Sequence, residues 1–337
     1  MARAIALRLL GVLPVLFLVT LVLFVLLRLA PGDAADLLVP DDATEEEVAR
    51  IRERWGLDRP VLEQYWRFLV ASIRLDFGRS YRYGSDVFGL IVERLPATLE
   101  LAFLALAIAA IVAIPLGVIA ALRKGSALDG AISVFAIAGV STPTFWLGIL
   151  LVLFLSAEMN LLPSAGRLPY GVTLPHVTGV YLLDALIAWR LDLIGLIASY
   201  IILPALTLAF GMIGVIARIT RGAIIDVAQE EFITTAVSKG LKRSEIIRHH
   251  LMPNAAVPIV TIIGLELGVL ISGSIIVEVV FSWPGLGTLL YQAISVRDIP
   301  LVTGIVVAYT TMFIFINVAI DVIYFMVDPR IRASQAV

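Results

Sequence analysis

Four acidic side chains lie inside long apolar runs of this chain, where a charge is costly and usually faces water, a partner charge or a transported solute. They are Glu100, Glu266, Glu278 and Asp321. Glu266 falls near the middle of its run, between Gly264 and Gly268. A carboxylate at this depth would either line a solute path and contact a cationic amino group, or hydrogen-bond a neighbouring helix. The residues alone leave both roles open.

The other three acids lie nearer the ends of their runs. Glu100 and Glu278 fall where we expect the outer surface, within reach of water. Asp321 falls near the inner end of its run, where Arg218 is a candidate partner. A proline inside a run, such as Pro143, frees backbone groups that only a neighbouring helix or a water-filled cavity can satisfy. The candidate pathway residues are Glu266, Glu278 and Pro143.

Enzyme chemistry is not expected in this chain. The sequence has no G-x-x-x-x-G-K-[ST] phosphate loop, no H-E-x-x-H, no G-x-S-x-G and no cysteine. Its three histidines are His176, His249 and His250. Neighbours on a helix point about 100° apart, so His249 and His250 do not readily share one metal ion. We therefore expect no catalytic residue, no metal site and no cofactor in the chain itself.

The composition indicates a polytopic α-helical membrane protein. The chain has 337 residues, of which 60% are hydrophobic and only 15% are charged. Its apolar runs are continuous rather than alternating, which argues against a barrel. The first run is long for a signal peptide, so we expect it to be an uncleaved span. The six predicted spans are 9–29, 96–121, 131–157, 199–217, 254–280 and 301–327.

The distribution of basic residues predicts the orientation, because short cytoplasmic loops carry an excess of lysine and arginine. With the N-terminus inside, the two short outer loops contain only Arg167, Arg190 and Arg297. The inner segments contain the remaining basic clusters, including those around 123–124, 239–248 and 330–332. Both termini are therefore predicted to be cytoplasmic. We expect membrane lipid around the spans and no nucleic acid as a partner.

Residues 31–95 form the only sizeable predicted outer region. Thr44–Glu47 reads as a capping box that opens a helix, and Gly56 would end it. Pro60 would start a second helix, with an apolar face formed by Leu62, Tyr65, Trp66, Leu69 and Ile73. So few apolar side chains make a poor independent core, so this region is expected to pack on the membrane body. It would act as a structural cap or as a docking surface for an external protein.

The polar, basic stretch 231–258 separates two apolar runs on the inner side. The pattern predicts a helix from Asp226 to Ser238, with one face formed by Phe232, Thr235, Ala236 and Lys239. Gly240 would make the turn, and a second helix would follow from Lys242 to Leu251. Pro253 would break that helix before the fifth span. Periodicity alone leaves two roles open, an interfacial helix on lipid headgroups or a knob that fits a cytoplasmic partner.

The spacing in this stretch resembles the cytoplasmic EAA loop of binding-protein-dependent ABC importer permeases. Ala236 and Gly240 are four residues apart, and Pro253 follows Gly240 by thirteen. Thr234 and Thr235 stand where Glu and Ala are usual, and His250 and Met252 replace Ile and Leu. These departures are common in the peptide/nickel branch of the family.

The resemblance covers almost the whole chain. Segments that are similar to the dipeptide/oligopeptide/nickel group, in this order, are Arg28–Asp33, Gly56–Pro60, Phe77–Tyr81, Arg94–Glu100, Pro143–Gly148, Leu161–Pro163, Leu203–Ala205, Glu278–Gly287 and Asp328–Arg330. The long outer region after the first span points to the B-type subunit. The resemblance implies an all-α type I importer permease fold. Its expected divisions are an N-terminal end with the first span (1–30), an outer helical domain (31–95), a five-helix core (96–327) with the loop 222–253, and a cytoplasmic tail (328–337).

The resemblance also implies a function. It predicts half of a pathway for short peptides, with a second, dissimilar permease subunit, two cytoplasmic ATPase subunits that bind ATP and Mg, and an extracytoplasmic solute-binding protein. The residues expected to couple to the ATPases are Phe232, Thr234, Thr235, Ala236, Gly240, Lys242, Ile246, His250 and Pro253. Permeases of similar sequence also handle nickel chelates, glutathione and oligosaccharides, so the substrate stays open. A secondary transporter is the rival class, but it would predict inverted repeats, and none is evident.

Overall fold

This computed structural model describes residues 58–327 and, before them, 14, 17–22, 24, 25, 44, 46, 49, 50 and 53, without the side chains of 271–272 and 321–327. Most of the first predicted span, the helix predicted from Thr44 to Gly56 and the tail 328–337 lie outside the described residues. So does the predicted pairing of Asp321 with Arg218, because the Asp321 side chain is not described.

The regular secondary structure of the described residues is helical, apart from one isolated β-bridge between Arg79 and Asp86. The α-helices in chain order are α1 (Val61–Ile73), α2 (Val87–Leu122), α3 (Ala127–Ser141), α4 (Thr144–Leu151), α5 (Tyr181–Ile187), α6 (Leu191–Ala228), α7 (Glu231–Ser238), α8 (Arg243–Ile246), α9 (Met252–Val280), α10 (Leu286–Ser295) and α11 (Ile299–Val327). Two π-helical segments, Val152–Glu158 and Ile247–Leu251, continue α4 and α8.

Within the described residues, four helices are long and apolar enough to cross a membrane, or five if the bent pair α3–α4 is one span. The spans predicted at 96–121, 199–217, 254–280 and 301–327 fall within α2, α6, α9 and α11. Helix α6 is much longer than predicted, with 38 residues and a length of about 57 Å. Its polar ends stay helical because Leu193 and Ile197 at one end, and Ala223 and Ile224 at the other, are buried.

The span predicted at 131–157 falls on this bent pair of helices rather than on one straight helix. Helices α3 and α4 meet at a bend of 100°. Thr142 at the bend is extended, with φ −85° and ψ 122°, which is the conformation that a following proline favours. The Thr142 hydroxyl donates to the Ala138 carbonyl at 2.7 Å, and Pro143 begins the next helix as its N-cap. The proline therefore redirects the chain rather than kinking one helix.

The chain divides into two compact units, Met1–Pro96 with Pro284–Phe315 and Ala97–Trp283 with Ile316–Val337. In the first unit, the second predicted outer helix is confirmed as α1, but its apolar face is not as predicted. Tyr65 is buried, with its ring centroid 5.8 Å from that of Phe17. Leu62 and Trp66 are 84% and 66% exposed. Only part of the predicted stripe therefore packs against other described residues.

Asp298 is a buried polar centre in the described part of the first unit. Its carboxylate accepts hydrogen bonds from the Ser80 hydroxyl and, at 3.0 Å, from the Arg82 backbone N–H. Burial and the nearby Asp298 charge together raise the pKa of Tyr81 to about 12. A side chain on the connection from α10 to α11 thus fixes the segment before α2.

The second unit packs its helices closely through small residues. Ala105, Ala109 and Ala113 of α2 are fully buried in its apolar core. A methyl group added at Gly117 would lie 2.6 Å from the Ala217 carbonyl oxygen of α6. Small residues let helix backbones approach in this way within a membrane. The long helix α6 is therefore the centre against which α3, α4 and α9 pack, and α2 approaches it at Gly117.

Candidate functional site

Segment 222–253 has the predicted helix–glycine–helix form, but it differs from the prediction where its first helix begins and where its second helix reaches Pro253. Gly240 has a φ of +75° and separates α7 from α8. The helix predicted from Asp226 does not begin there, because α6 continues to Ala228. A turn then closes with the Gln229 N–H donating to the Asp226 carbonyl at 3.1 Å. Helix α7 is consequently a separate short element.

The predicted coupling residues divide into an exposed group and a buried group. The exposed residues are Phe232, Thr234, Thr235, Gly240, Lys242 and Pro253, and His250 is half-buried. Ala236 and Ile246 are buried. The face predicted from Phe232 through Lys239 is therefore split, because Ala236 turns inward with Ile233, whereas Thr235 turns outward.

An apolar cluster lies beneath segment 222–253. Its buried members are Ala223, Ile224, Ile233, Ala236, Ile246, Leu251, Ala255 and Ile259. The opposite side exposes three apolar side chains, Phe232 (41%), Val237 (59%) and Leu241 (38%). The segment is thus anchored by one face while the other offers a mixed apolar and polar surface, which is typical of an interaction site.

Polar contacts join the same region to the α2–α3 connection. The Arg243 guanidinium donates to the Leu122 carbonyl at 3.1 Å. Arg221 of α6 binds Asp129 through two hydrogen bonds of 2.6 and 2.8 Å. Asp129 also accepts from the Gly125 N–H at 2.9 Å. Sequence reasoning missed the pairing of Asp129 with Arg221, and its only local signal was the Ser126 N-cap three residues before the acid.

Glu266 lies on α9 and is half-buried, with no side-chain hydrogen bond or ion pair found among the described residues. Gly264, two residues earlier, faces α11, since an added methyl group would lie 2.6 Å from Ile320. Two residues advance a helix by about 200°, so Glu266 lies on the opposite side of α9. Its neighbours Leu265 and Val269 are exposed. The carboxylate therefore borders a surface that the described residues leave uncovered.

Glu278 and Pro143 have different surroundings. The expectation that water reaches Glu278 is wrong, because its side chain is fully buried. Its carboxylate accepts hydrogen bonds from the Thr98 hydroxyl at 2.8 Å and the Ser274 hydroxyl at 3.3 Å. Pro143 is exposed at the bend between α3 and α4. Of the three predicted pathway residues, Pro143 is exposed, Glu266 is half-buried and Glu278 is buried.

The expectation of water around Glu100 is also wrong. Its carboxylate forms a buried ion pair with Arg167 and accepts the Leu182 N–H at 2.8 Å. The Arg167 guanidinium also donates to the Gly179 carbonyl at 3.0 Å and lies 3.6 Å from the centroid of the Tyr181 ring. The partner of Glu100 comes from 67 residues away, so no local pattern indicates it.

Further buried hydrogen bonds fix loop 159–190. The Asp184 carboxylate accepts the Thr178 N–H at 2.7 Å and the Gly179 N–H at 3.0 Å. Burial acts to raise the pKa of Asp184, but the hydrogen bonds from Thr178 and Gly179 outweigh it and lower the pKa. The Gly166 N–H donates to the Phe281 carbonyl at 2.9 Å. The loop is therefore tied both to itself and to the end of α9.

Metal coordination finds no support in the part of the chain that the structure describes. No group of three or more His, Asp or Glu side chains there could hold an ion.

Comparison with known proteins identifies the family. Residues 113–333 match the model of the binding-protein-dependent transport system inner membrane component. Residues 1–102 match the model of the N-terminal part of such membrane components. The chain is similar to the probable D,D-dipeptide transport system permease protein DdpB of Escherichia coli (strain K12), with 39% identity over 93% of this chain and 92% of the relative.

Other relatives and a solved structure agree. The di/tripeptide transport system permease protein DppB of Pseudomonas aeruginosa (strain UCBPP-PA14) is 35% identical over 99% of this chain and 100% of its own length. A chain of the inward-facing MetNI methionine ABC transporter shares the fold, with a TM-score of 0.52 and 20% identity over 71% of this chain and 96% of that one. The protein therefore belongs to the family of binding-protein-dependent transport system inner membrane components.

Proposed function

We propose that this chain is the permease subunit of an ATP-driven importer that forms half of the pathway for short peptides. The observation that carries the proposal is segment 222–253, which is anchored on an apolar cluster and leaves Phe232, Thr234, Thr235 and Lys242 exposed. Relatives similar over almost the whole chain are dipeptide and peptide permeases, which favours peptides over nickel chelates, glutathione or oligosaccharides.

The partners follow from this assignment. Two ATPase subunits bind ATP and Mg on the cytoplasmic side, and one of them receives α7 and the Gly240 turn. A second, dissimilar permease subunit completes the pathway, and an extracytoplasmic binding protein delivers the solute. The excess of basic residues in the segments around 123–124 and 239–248 supports the orientation with both termini in the cytoplasm.

The nine predicted coupling residues have two roles in this proposal. The exposed ones, with Phe232 and Thr235 at the centre, contact the ATPase. Ala236 and Ile246 instead belong to the apolar cluster that carries a displacement of α7 into α6 and α9. A short rigid helix transmits such a displacement better than a mobile loop would.

The pathway candidates Glu266 and Glu278 also have different roles in this proposal. Glu266 has no partner among the described side chains and faces away from α11, so we assign it to the pathway, where it contacts the amino group of the solute. Glu278 is buried against Thr98 and Ser274, which suits an anchoring role between α2 and α9. Replacing Glu266 with Gln should reduce uptake of peptides that carry a free amino group. Equal uptake by the variant and the unmodified transporter would remove Glu266 from the pathway.

The direct test is copurification. The chain is expressed with the products of its neighbouring genes, purified by a tag on this subunit, and assayed for ATP hydrolysis in nanodiscs. ATPase subunits should copurify, and the binding protein should stimulate their activity. Replacing Gly240 with Pro should abolish the stimulation, because proline cannot adopt the φ of +75° found there.

The matched control is Gly171→Pro, which removes another positive-φ glycine, at +87°, from loop 159–190. It should leave the copurified ATPases and their stimulation in place. A tagged chain that purifies without ATPases, or stimulation that is unaffected by Gly240→Pro, would contradict the proposed function.

A further inference from the structure

The second half of segment 222–253 is continuous with the fifth span. Helix α8, the π-helical segment Ile247–Leu251 and α9 follow one another without a break, and Ile247, Leu251 and Met252 all keep right-handed helical angles. The prediction that Pro253 breaks the helix is therefore wrong. The helix widens by one residue before the proline instead of ending at it.

The widened turn has a local cause at Pro253. The Met252 N–H donates to the Ile247 carbonyl, five residues back, which is the π-helical pattern. Pro253 has no N–H and cannot extend the hydrogen bonding in either register. One backbone N–H donor is therefore missing for the carbonyls of Arg248, His249 and His250.

Asn254 supplies a donor from its side chain. Its Nδ2 group donates to the His250 carbonyl at 2.6 Å. The side-chain amide of Asn254 thus bonds to the carbonyl four residues before it. This hydrogen bond lies in the turn where the π-helical hydrogen-bonding pattern changes to the α-helical pattern. The side chain itself is exposed, so this hydrogen bond, rather than burial, is what it contributes.

The widened turn runs through one apolar cluster, to which its own Leu251 belongs. Ile246 precedes it and Ala255 and Ile259 follow it, and all three share the cluster with Ile233 and Ala236 of α7. A displacement of α7 therefore acts on both ends of the turn. If the turn deforms, the displacement of α7 ends there. If the turn keeps its shape, α9 moves with α7.

We propose that Asn254 is a positioning residue for transport, one that holds the π-helical turn so that movement of the coupling helix α7 reaches the fifth span. This inference rests on the proposed function, because it requires an ATPase that moves α7. Asn254 touches neither the ATPase nor the solute in this account. It acts through the His250 carbonyl.

The test measures how many peptides are imported per ATP hydrolysed, in proteoliposomes that contain the complete transporter. Asn254→Ala removes the donor, and Asn254→Asp keeps the shape but offers a carboxylate that cannot donate. Both should lower the ratio roughly fivefold, the effect of losing one hydrogen bond. Asn254→Thr should restore it to within about twofold, because a threonine hydroxyl can donate to the carbonyl four residues back.

The chain itself supports the choice of threonine and provides a control. Thr261, two turns further along α9, donates in this way to the Val257 carbonyl at 2.7 Å. Thr261→Val removes that bond outside the widened turn and should leave the ratio unchanged. The inference would be overturned if Thr261→Val lowered the number of peptides imported per ATP as much as Asn254→Ala does. Any weakening of α9 would then be enough to reduce coupling.

The outcomes separate this inference from the proposed function. If the unmodified chain copurifies no ATPase, the proposed function fails. If the Asn254→Ala and Asn254→Asp complexes assemble, hydrolyse ATP and keep the transport ratio within twofold, the function stands and the role of Asn254 is wrong. A lower ratio that Asn254→Thr does not restore would also contradict the role, because the donated hydrogen bond would not be the cause.

Discussion

Loop 159–190 and segment 222–253 belong to the same compact unit, but opposite kinds of contact hold them. Buried charged and polar groups fix the loop. Arg167 forms an ion pair with Glu100, and the Asp184 carboxylate accepts hydrogen bonds from two backbone N–H groups. Segment 222–253 rests mainly on apolar side chains such as Ile233 and Ile246. Its polar contacts, such as that from Arg243 to the Leu122 carbonyl, involve exposed side chains.

The two kinds of contact differ in how much movement they allow. A buried ion pair is directional, and separating its partners leaves a charge without solvent, so the loop has essentially one arrangement. Apolar contacts are non-directional, and a helix can shift over them by a small distance without exposing a polar group. The loop is suited to stay fixed during transport, whereas segment 222–253 is suited to move with a partner.

The largest expected effect comes from breaking the charged contact of the loop. Arg167→Met leaves the Glu100 carboxylate buried without its partner, which should lower the free energy of unfolding by roughly 3–5 kcal/mol. Thermal unfolding of the purified complex measures the loss. Adding Glu100→Gln should recover part of it, because the uncompensated charge is then removed.

The control for that change is Arg190→Met in the same loop. Arg190 pairs with Asp192 at 2.9 Å, but both side chains are exposed, so no measurable change in the unfolding temperature is expected. Equal losses from Arg167→Met and Arg190→Met would show that burial does not distinguish the two pairs.

A smaller effect is expected from the apolar contact of segment 222–253. Ile233→Ala removes a buried side chain of the cluster and should cost about 2 kcal/mol of unfolding free energy. Phe232→Ala, its exposed neighbour, should leave stability unchanged but lower the stimulation of the ATPase. The two variants are compared by thermal unfolding and by ATP hydrolysis. A loss of stability in Phe232→Ala equal to that in Ile233→Ala would refute the orientation of α7.

The smallest expected effect concerns pH. The folded-state pKa of Asp184 is lower than its ordinary value of 3.8, so its ionised form stabilises the fold. That contribution is present above the ordinary pKa and is lost as the pH falls towards and through the folded-state pKa. The unfolding temperature of the unmodified chain should therefore fall on acidification below about pH 4.

Asp184→Asn tests the assignment. An amide offers one acceptor oxygen in place of two, so the variant should be less stable at neutral pH but should lose less stability on acidification. Asp192→Asn, at an exposed carboxylate, is the comparison. Parallel pH curves for Asp184→Asn and the unmodified chain would assign the acid sensitivity to other groups.

Sequence patterns predicted what depends on neighbours along the chain. Continuous apolar runs predicted α2, α6, α9 and α11, and the position of Gly240 predicted the turn in segment 222–253. The bend at Thr142–Pro143 was missed because a proline in an apolar run is compatible with either a kink or a complete change of direction. The choice depends on packing that the local sequence does not contain.

The surroundings of the buried acids could not be predicted from the sequence for a related reason. Glu100 and Glu278 lie near the ends of their predicted spans, which suggested solvent, yet their partners Arg167 and Thr98 come from distant parts of the sequence. The same applies to α7, where spacing alone grouped Ala236 with Thr235. Only the cluster beneath the helix reveals that Ile233 and Ala236 turn inward.

The central claim is that α7 is anchored by its inner face and offers its outer face to an ATPase subunit. The chain has no cysteine, so single cysteines can be placed at Thr234 and at Ser164, an exposed residue of loop 159–190. Maleimide labelling is measured for the permease pair alone and for the pair with its ATPases. Thr234→Cys should label rapidly in the pair and become protected in the complete complex, while Ser164→Cys should label equally in both. Equal labelling of Thr234→Cys in the two preparations would contradict the account.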